Sequence, residues 1–199
     1  WAIALTIAGV LVPAAGVDVV YWTESGFPNK VRRRWTDGSG VEDIMSDEHW
    51  LPTGIAVDSA GSRVYWTEIL VASKESRLQW ESLDGTGAGH IGMPGIASSF
   101  ALAASGDAVY WTDNENDQLK RVSLDGTDLV ETIIDSGIND PQGLAVDPAG
   151  GGKLYWTDSG TIQCANLDGS DMRSVVSSLS SPTGLAVHSS AGKLYWADS

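Results

Sequence analysis

Cysteine and basic residues are scarce in this 199-residue chain. Cys164 is its single cysteine, which excludes an internal disulfide framework and a Cys-x-x-Cys zinc site. Only 12 Lys and Arg stand against 26 Asp and Glu, so the formal net charge is -14. Because nucleic-acid phosphates would repel such a chain, we expect no nucleic-acid partner and a protein partner that is basic or neutral.

Beyond the first 17 residues, long apolar runs are missing, and the chain has no glycosylation sequon. After the apolar start, no stretch approaches the roughly 18 apolar residues that mark a membrane-spanning helix, and no Asn-x-Ser/Thr sequon occurs anywhere. The apolar start, residues 1–16, has the hydrophobic character of a secretory signal but lacks an initiating Met and a basic beginning. We favour a strand at Gly9–Val12, which lies as far before the first Tyr-Trp motif as Gly143–Val146 lies before the fourth.

A Tyr-Trp-Thr-Asp motif, or a close variant of it, recurs five times. The copies begin at positions 21, 65, 110, 155 and 195, a spacing of 40 to 45 residues. Hydrophobic residues make up 42% of the chain, which is enough to build a packed core around such units. The motif residues are Tyr21, Trp22, Thr23, Glu24, Tyr65, Trp66, Thr67, Glu68, Tyr110, Trp111, Thr112, Asp113, Tyr155, Trp156, Thr157, Asp158, Tyr195, Trp196 and Asp198.

Two further signatures flank this motif. A Pro-x-Gly-(Ile or Leu)-Ala-Val segment precedes three copies, and an Asp-Gly-(Ser or Thr) triplet follows four. Asp-Gly is typical of a tight turn between antiparallel strands, because Gly accepts a positive φ. Each unit is therefore predicted to contain four short strands, A to D, with the motif on strand B. The segments begin at Pro52, Pro141 and Pro182, and the triplets at Asp37, Asp84, Asp125 and Asp168.

Four-stranded units at this period are the sequence signature of a β-propeller. We predict an all-β chain of about four and a half blades, forming one propeller domain or part of one. Alternation places the motif Tyr and Thr on one side of a blade and the Trp and acid on the other. Since both sides face neighbouring blades, these residues are predicted to pack rather than to bind a ligand. The predicted units are about 1–49, 50–94, 95–138, 139–180 and 181–199, the last incomplete.

Together the three signatures resemble the class B repeat of low-density-lipoprotein-receptor-related proteins, and the resemblance covers nearly the whole chain. It implies a six-bladed, extracellular or secreted propeller that binds protein ligands on one face, without catalysis or a cofactor. The chain departs from that pattern in its number of units and in having no cysteine-rich module. A third departure is Phe100–Ala103, which replaces Gly-Leu-Ala-Val in the third unit.

The last unit supplies strands A and B but no strand C or D. An unpaired edge strand is a template for another strand. Either the chain is a fragment of a longer one, or, as an alternative function, copies assemble into a ring or filament through their terminal strands. The apolar start, Trp1–Ile7, is the strand that a neighbouring copy would accept.

Turn lengths indicate where a partner would bind. In an antiparallel meander, the B-to-C turns and the D-to-A linkers lie at the same end of each blade, which we call the BC end. The B-to-C turns vary in predicted length, spanning 25–30, 69–77, 114–118 and 159–161, and variable loops on a rigid scaffold favour binding. An alternative for Ile69–Val71 is that they pack back on their own blade. The candidate partner-binding residues are Phe27, His49, Trp50, Ile69, Leu70, Val71, Asn114, Glu115, Asp117 and Ser159.

A propeller hydrolase is a second alternative, but the sequence offers it little. His49, His90 and His188 fall at unrelated positions of their units, and no Gly-x-Ser-x-Gly elbow occurs. Cys164 is predicted to be an unreactive thiol on strand C. Asp113–Asp117 has alternating oxygen side chains, as at the start of an EF-hand loop, but the later Gly and Glu of that loop are missing. We predict no catalytic residue, no cofactor and no metal site.

Overall fold

The computed structural model describes residues 5–8, 18–58, 62–92, 101–125, 127, 129–149 and 152–199. These residues fall into two compact units, Trp1–Ala97 and Ser98–Ser199. Apart from one short 3-10 turn, Ser189–Ala191, the regular structure is all β. The all-β prediction is therefore confirmed.

In the part of the chain that the structure describes, the strands form antiparallel meanders in chain order, four sheets of four strands and one of two. The first unit holds two sheets. Blade one comprises β1 (Leu5–Ala8), β2 (Val19–Glu24), β3 (Asn29–Trp35) and β4 (Val41–Asp47). Blade two comprises β5 (Trp50–Asp58), β6 (Arg63–Leu70), β7 (Glu75–Ser82) and β8 (Ala88–Gly92).

The second unit holds two complete sheets and one strand pair. Blade three comprises β9 (Leu102–Ser105), β10 (Ala108–Asp113), β11 (Gln118–Ser123) and β12 (Val130–Ile134). Blade four comprises β13 (Leu144–Asp147), β14 (Lys153–Asp158), β15 (Thr161–Asn166) and β16 (Arg173–Ser177). Within the described residues, blade five consists of β17 (Pro182–His188) and β18 (Lys193–Asp198).

The first strand of blade one is not where the sequence placed it. Leu5–Ala8 pairs with β2, and Ile7 lies opposite Trp22, whereas the predicted strand Gly9–Val12 lies outside the described residues. Apart from Thr6, both segments are apolar, so hydrophobicity alone did not fix the register. The pairing also corrects the assembly hypothesis, because residues 5–7 of the proposed donor strand are already bonded within their own blade.

The irregular third unit keeps the same register. Leu102 lies opposite Trp111, as Leu144 lies opposite Trp156 in blade four. The Phe100–Ala103 segment therefore contributes the apolar residue that this position needs, although Phe100 itself lies outside the described residues.

The two sides of a blade meet different partners. We call the side with the motif Tyr and Thr the Tyr side, and the side with the Trp and acid the Trp side. Val19 and Tyr21 of blade one share a buried core with Trp66 of blade two. In the second unit, Tyr110 of blade three likewise shares a core with Trp156 of blade four. Each described interface thus joins the Tyr side of one blade to the Trp side of the next.

The motif Thr also links successive blades. Its hydroxyl donates to a backbone carbonyl in the next blade, that of the residue before the Gly of the Pro-x-Gly segment. The pairs are Thr23 with Thr53, Thr112 with Gln142 and Thr157 with Thr183, at 3.2, 3.0 and 2.8 Å. In blade five Ala197 occupies the Thr position and has no hydroxyl to donate.

The Asp-Gly-(Ser or Thr) triplets form the predicted turns between strands C and D. Asp84 Oδ1 accepts the Thr86 backbone N–H at 3.0 Å and the Thr86 hydroxyl at 2.7 Å. Gly85 has a φ of +73°, which explains the Gly at this position. The same Oδ1 contacts recur in the other three turns, at Asp37, Asp125 and Asp168.

Candidate functional site

The B-to-C turns are shorter and more uniform in length than the sequence predicts. The B-to-C turns span residues 25–28, 71–74, 114–117 and 159–160. The largest difference is in blade two, where Ile69 and Leu70 were placed in a long loop. Instead they extend β6, because Leu70 pairs with Trp50 across the sheet and Ile69 pairs with Leu51.

Three candidate residues of the first unit project from the BC end into solvent. Phe27, in the β2–β3 turn, is 80% exposed, and Val71, in the β6–β7 turn, is 67% exposed. The His49 side chain, between β4 and β5, is 78% exposed. Exposed apolar side chains at loop tips have no packing role in the described part of their unit, so they are available to a partner.

Trp50 is held in place between two groups. The Arg77 guanidinium lies 3.8 Å from the centroid of its ring, a cation–π contact. Asp47 Oδ1 accepts the backbone N–H groups of His49 and Trp50 at 2.7 and 2.9 Å. These two hydrogen bonds lower the pKa of Asp47, and the bond from Trp50 has the larger effect. These contacts fix the linker between β4 and β5, and the exposed His49 ring also lies near Asp47, with its Nδ1 3.9 Å from Oδ1.

The Arg77 side chain is itself fixed by a buried carboxylate. Glu68 is 0% exposed, and its Oε2 accepts Arg77 Nε at 2.8 Å. Glu68 Oε1 accepts the Trp66 indole N–H at 2.7 Å. Gln79 Nε2 adds a longer bond to Oε2 at 3.3 Å. This network runs from the blade core to the surface ring of Trp50, and it gives the last residue of the motif a positioning role.

A long polar side chain bonds the motif acid in all four complete blades. It lies opposite the motif Trp, one residue after the first apolar residue of strand C. Sequence reasoning missed this position, because Arg and Lys differ from Gln in charge even though all three donate hydrogen bonds. The donors are Arg32 to Glu24, Gln79 to Glu68, Lys120 to Asp113 and Gln163 to Asp158, at 3.3, 3.3, 2.6 and 2.9 Å.

The choice between Glu and Asp in the motif changes what the acid reaches. In blade two, Glu68 reaches the indole N–H of its own motif Trp. In blades three and four the acid is Asp, one methylene shorter, and the buried Nε1 atoms of Trp111 and Trp156 find no acceptor among the described residues. Asp158 instead binds the D-to-A linker, accepting the Asn139 backbone N–H at 2.7 Å.

The second unit has a polar BC end. Asp117 Oδ1 accepts the Asp140 backbone N–H at 2.7 Å, which ties the β10–β11 turn to the following linker. Asn139 Nδ2 donates to the Ser159 hydroxyl at 2.9 Å. Glu115 is exposed and Asn114 is partly buried. The structure thus brings Asp117 and Ser159 to one linker, 135–143, of the second unit, whereas the apolar candidates belong to the first unit.

Catalytic and metal chemistry finds little support in the described residues. His188 Nε2 lies 3.1 Å from the Ser190 hydroxyl on an exposed turn, and no described carboxylate bonds that ring. His90 is exposed on the outer strand β8, and Cys164 is buried on β15. The described residues contain no group of three His, Cys, Asp or Glu side chains that could hold a metal ion. Asp113, the first residue of the EF-hand-like segment, is bonded to Asn116 and Lys120.

Comparisons with known proteins identify the family to which the repeats are similar. Residues 107–148 and 152–189 match the family model described as low-density lipoprotein receptor repeat class B. The chain carries low-density lipoprotein receptor class B repeats. A human low-density lipoprotein receptor-related protein 5-like protein is 38% identical over 154 residues, covering 75% of this chain and 58% of that protein. Mouse low-density lipoprotein receptor-related protein 5 is 38% identical over 113 residues, covering 52% of this chain and 7% of that protein.

Solved structures confirm that the class B repeats form propeller blades. The chain matches a chain of a nidogen/laminin complex with a TM-score of 0.75 and 25% identity, covering 92% of this chain and 70% of that one. A catalytically inactive virginiamycin B lyase from Staphylococcus aureus, at 16% identity and a TM-score of 0.65, shares the fold over 93% of this chain and 64% of its own. The location expected from the class B resemblance, extracellular or secreted, is that of the receptor-related and nidogen proteins. Within the described residues, no helix is long and apolar enough to cross a bilayer.

Proposed function

We propose that this class B repeat chain is a non-catalytic, extracellular protein-binding module that contacts its partner through the BC end. The observation that carries the proposal is the pair of exposed apolar side chains, Phe27 and Val71, on B-to-C turns of the unit that also holds the Trp50–Arg77 stack. Aromatic and Arg anchors fixed before binding lose little entropy on association, and they are typical of interface hot spots.

The relatives support the class of function. One similar solved structure is that of a nidogen/laminin complex, in which a protein of this fold is assembled with another protein. We also propose that residues 1–199 belong to one propeller domain or part of one. The acidic side chains exposed at the BC end of the first unit, Glu48 and Glu75, favour a basic or neutral partner segment.

Selection of random peptides on phage against the folded chain tests this proposal. The test variant replaces Phe27, His49 and Val71 with Ala, which leaves the core intact because all three side chains are exposed. A matched control replaces Val41 and His90, the same aliphatic and imidazole types exposed elsewhere in the unit. We expect peptides selected on the wild type to bind the control and to lose binding to the test variant.

Binding that survives in the test variant but fails in the control would place recognition elsewhere and contradict the proposal. Leu70 and Trp50 are poorer targets for this test. Leu70 lies in the β6–β5 pairing and Trp50 lies under Arg77, so their replacement would disturb the blade as well as the surface.

A further inference from the structure

The outer strand of blade two, β8, differs from the outer strands of the other three complete blades. In those blades one residue of strand D bulges out of the ladder, one step after the residue that faces the first apolar residue of strand C. The bulged residues are Ile44 in β4, Ile133 in β12 and Val175 in β16. The ladder between β7 and β8 instead continues through five successive residue pairs without a break. Since a bulge bends and twists a strand, β8 is the straight outer edge among these four.

The same strand lacks the charges that keep an edge from pairing. Ala88–Gly92 contains no Asp, Glu, Lys or Arg. The other three outer strands are charged at the corresponding positions, with Glu42 and Asp43 in β4, Glu131 in β12 and Arg173 in β16. Bulges and charged side chains are among the devices that stop an exposed edge from accepting another strand. In the described part of the chain, β8 is the outermost strand of its sheet and has neither device.

Backbone groups of β8 point away from its own sheet. The Ser82 N–H donates to the Gly87 carbonyl at 2.8 Å, so the backbone of Gly87 faces β7. Along a strand the backbone groups of successive residues point alternately to the two sides. Gly89 therefore also faces β7, whereas the N–H and C=O groups of Ala88 and His90 face outward. These outward groups have the arrangement that an added antiparallel strand requires.

An aromatic ring reaches this edge on the Tyr side. Trp80 lies opposite Gly89, and a Cβ atom added at Gly89 would lie 2.9 Å from Trp80 Cζ2 and Nε1. The indole therefore lies directly over β8. The Arg63 guanidinium, 4.1 Å from the ring centroid, stacks on the ring and holds it there. An added strand would meet Gly89 at a non-hydrogen-bonded position, where facing side chains lie closest, so an apolar side chain there would pack against Trp80.

An acidic side chain lies beside this edge on the Trp side. Glu81 lies opposite Ala88, whose side chain is small and exposed. Burial raises the pKa of Glu81; nearby Arg33 opposes this effect and Glu42 adds to it. Arg33 already pairs with Glu42, its Nη2 lying 2.7 Å from Oε2. One guanidinium thus serves two carboxylates, and a Lys or Arg reaching across Ala88 would balance the second.

We infer that the edge of β8 accepts an extended, antiparallel segment of another protein, with an apolar residue opposite Gly89 and a Lys or Arg opposite Ala88. The outward groups of Ala88 and His90 bond the backbone of that segment, as in β-augmentation. Its apolar residue packs on Trp80, and its cation pairs with Glu81. This edge is separate from the BC end, so the inference does not depend on the proposed function.

A second copy of the chain does not meet these requirements. Because Ala88–Gly92 contains no Lys or Arg, no register of two paired β8 strands supplies the cation. Each copy also has a formal net charge of -14, which opposes association. The expected partner is therefore a different protein with a basic, strand-forming segment.

Amide exchange measured by NMR tests the inference with two end-blocked hexapeptides. The patterned peptide, Thr-Val-Thr-Phe-Lys-Thr, places Phe opposite Gly89 and Lys opposite Ala88 when it pairs antiparallel. The control peptide has Phe and Lys exchanged, which puts each on the wrong face. At about ten times its Kd, the patterned peptide should slow exchange at the outward amides of Ala88 and His90 about tenfold. The inward amides of Gly89 and Ile91 should change little, and the control peptide should bind roughly tenfold more weakly.

Two variants of the chain separate strand addition from loose surface binding. His90→Pro removes an outward N–H but no bond to β7, so it should abolish protection by the peptide and leave the blade folded. His90→Ala is the matched control, because it keeps the N–H and should bind the peptide as the wild type does. Insertion of one Ile after His90 gives β8 the bulge of the other outer strands and should also abolish binding. The thermal unfolding midpoint of each variant checks that the blade is intact.

Several outcomes would overturn the inference. They are an absence of protection by the patterned peptide, equal binding of the two peptides, and undiminished binding to a folded His90→Pro or insertion variant. Protection of Ala88 and His90 that rises with protein concentration, without peptide, would also overturn it, because the occupant would then be a second copy.

Discussion

Glu68→Asp is the substitution that best tests the role of the motif acid. The Glu68 side chain is fully buried. Trp66, whose indole N–H donates a hydrogen bond to it, is 5% exposed. Removing one methylene draws the carboxylate back by roughly 1.5 Å, so the 2.7 Å bond from Trp66 Nε1 is lost. An orphaned buried donor costs about 1–3 kcal/mol, and the lost methylene about 0.8 kcal/mol. We therefore expect the free energy of unfolding to fall by about 2–4 kcal/mol.

Glu24→Asp in the same unit is the matched control. Glu24 also accepts the indole of its motif Trp, at 2.7 Å, but its side chain is 28% exposed. Water can replace the lost acceptor there, so we expect a cost below about 1 kcal/mol. Urea unfolding followed by tryptophan fluorescence measures both variants. Equal losses in the two variants would refute the claim that burial makes the Glu68 contact valuable.

Three further perturbations follow from the repeated contacts. Thr157→Val removes the hydroxyl that joins blades four and five and should cost about 1–3 kcal/mol by urea unfolding, whereas Thr157→Ser should cost little; similar losses would refute the bond. Gly143→Ala forces a Cβ against the next blade and should lower the thermal midpoint, while Gly184→Ala should not; equal shifts would contradict the close approach. The pKa of Asp84 is lowered by its bonds from Thr86, so its stabilisation is complete above the ordinary Asp pKa, about 3.9, and is lost as pH falls through the lowered folded value. Replacing the four turn aspartates with Asn should therefore flatten the fall of the urea midpoint below about pH 4, and an unchanged slope would count against these turns.

The blade architecture was predictable because the same sequence signals recur at the same positions in each repeat. Five motif copies fix strand B, and the Asp-Gly triplets fix the turns between strands C and D. The first strand was misplaced because residues 3–12 are apolar except for Thr6 and show little alternation, so that several registers bury similar surface. Register there depends on pairing with β2, which a single sequence does not encode locally.

The candidate site was predictable only in outline. Loop-length variation located the BC end, but Ile69 and Leu70 extend a strand whose end no turn residue marks. The Trp50–Arg77–Glu68 network links residues from three strands, and its geometry depends on the depth of each side chain in the sheet. Sequence spacing therefore indicates which end binds but not which side chains are held rigid.

The most direct test of the binding proposal is hydrogen–deuterium exchange of the chain with and without a peptide selected on it. The account predicts that bound peptide slows exchange at the BC end of the first unit, in residues 25–28, 48–50 and 71–74. Protection confined to the opposite end, at the Asp-Gly turns 36–40 and 83–87, would contradict it.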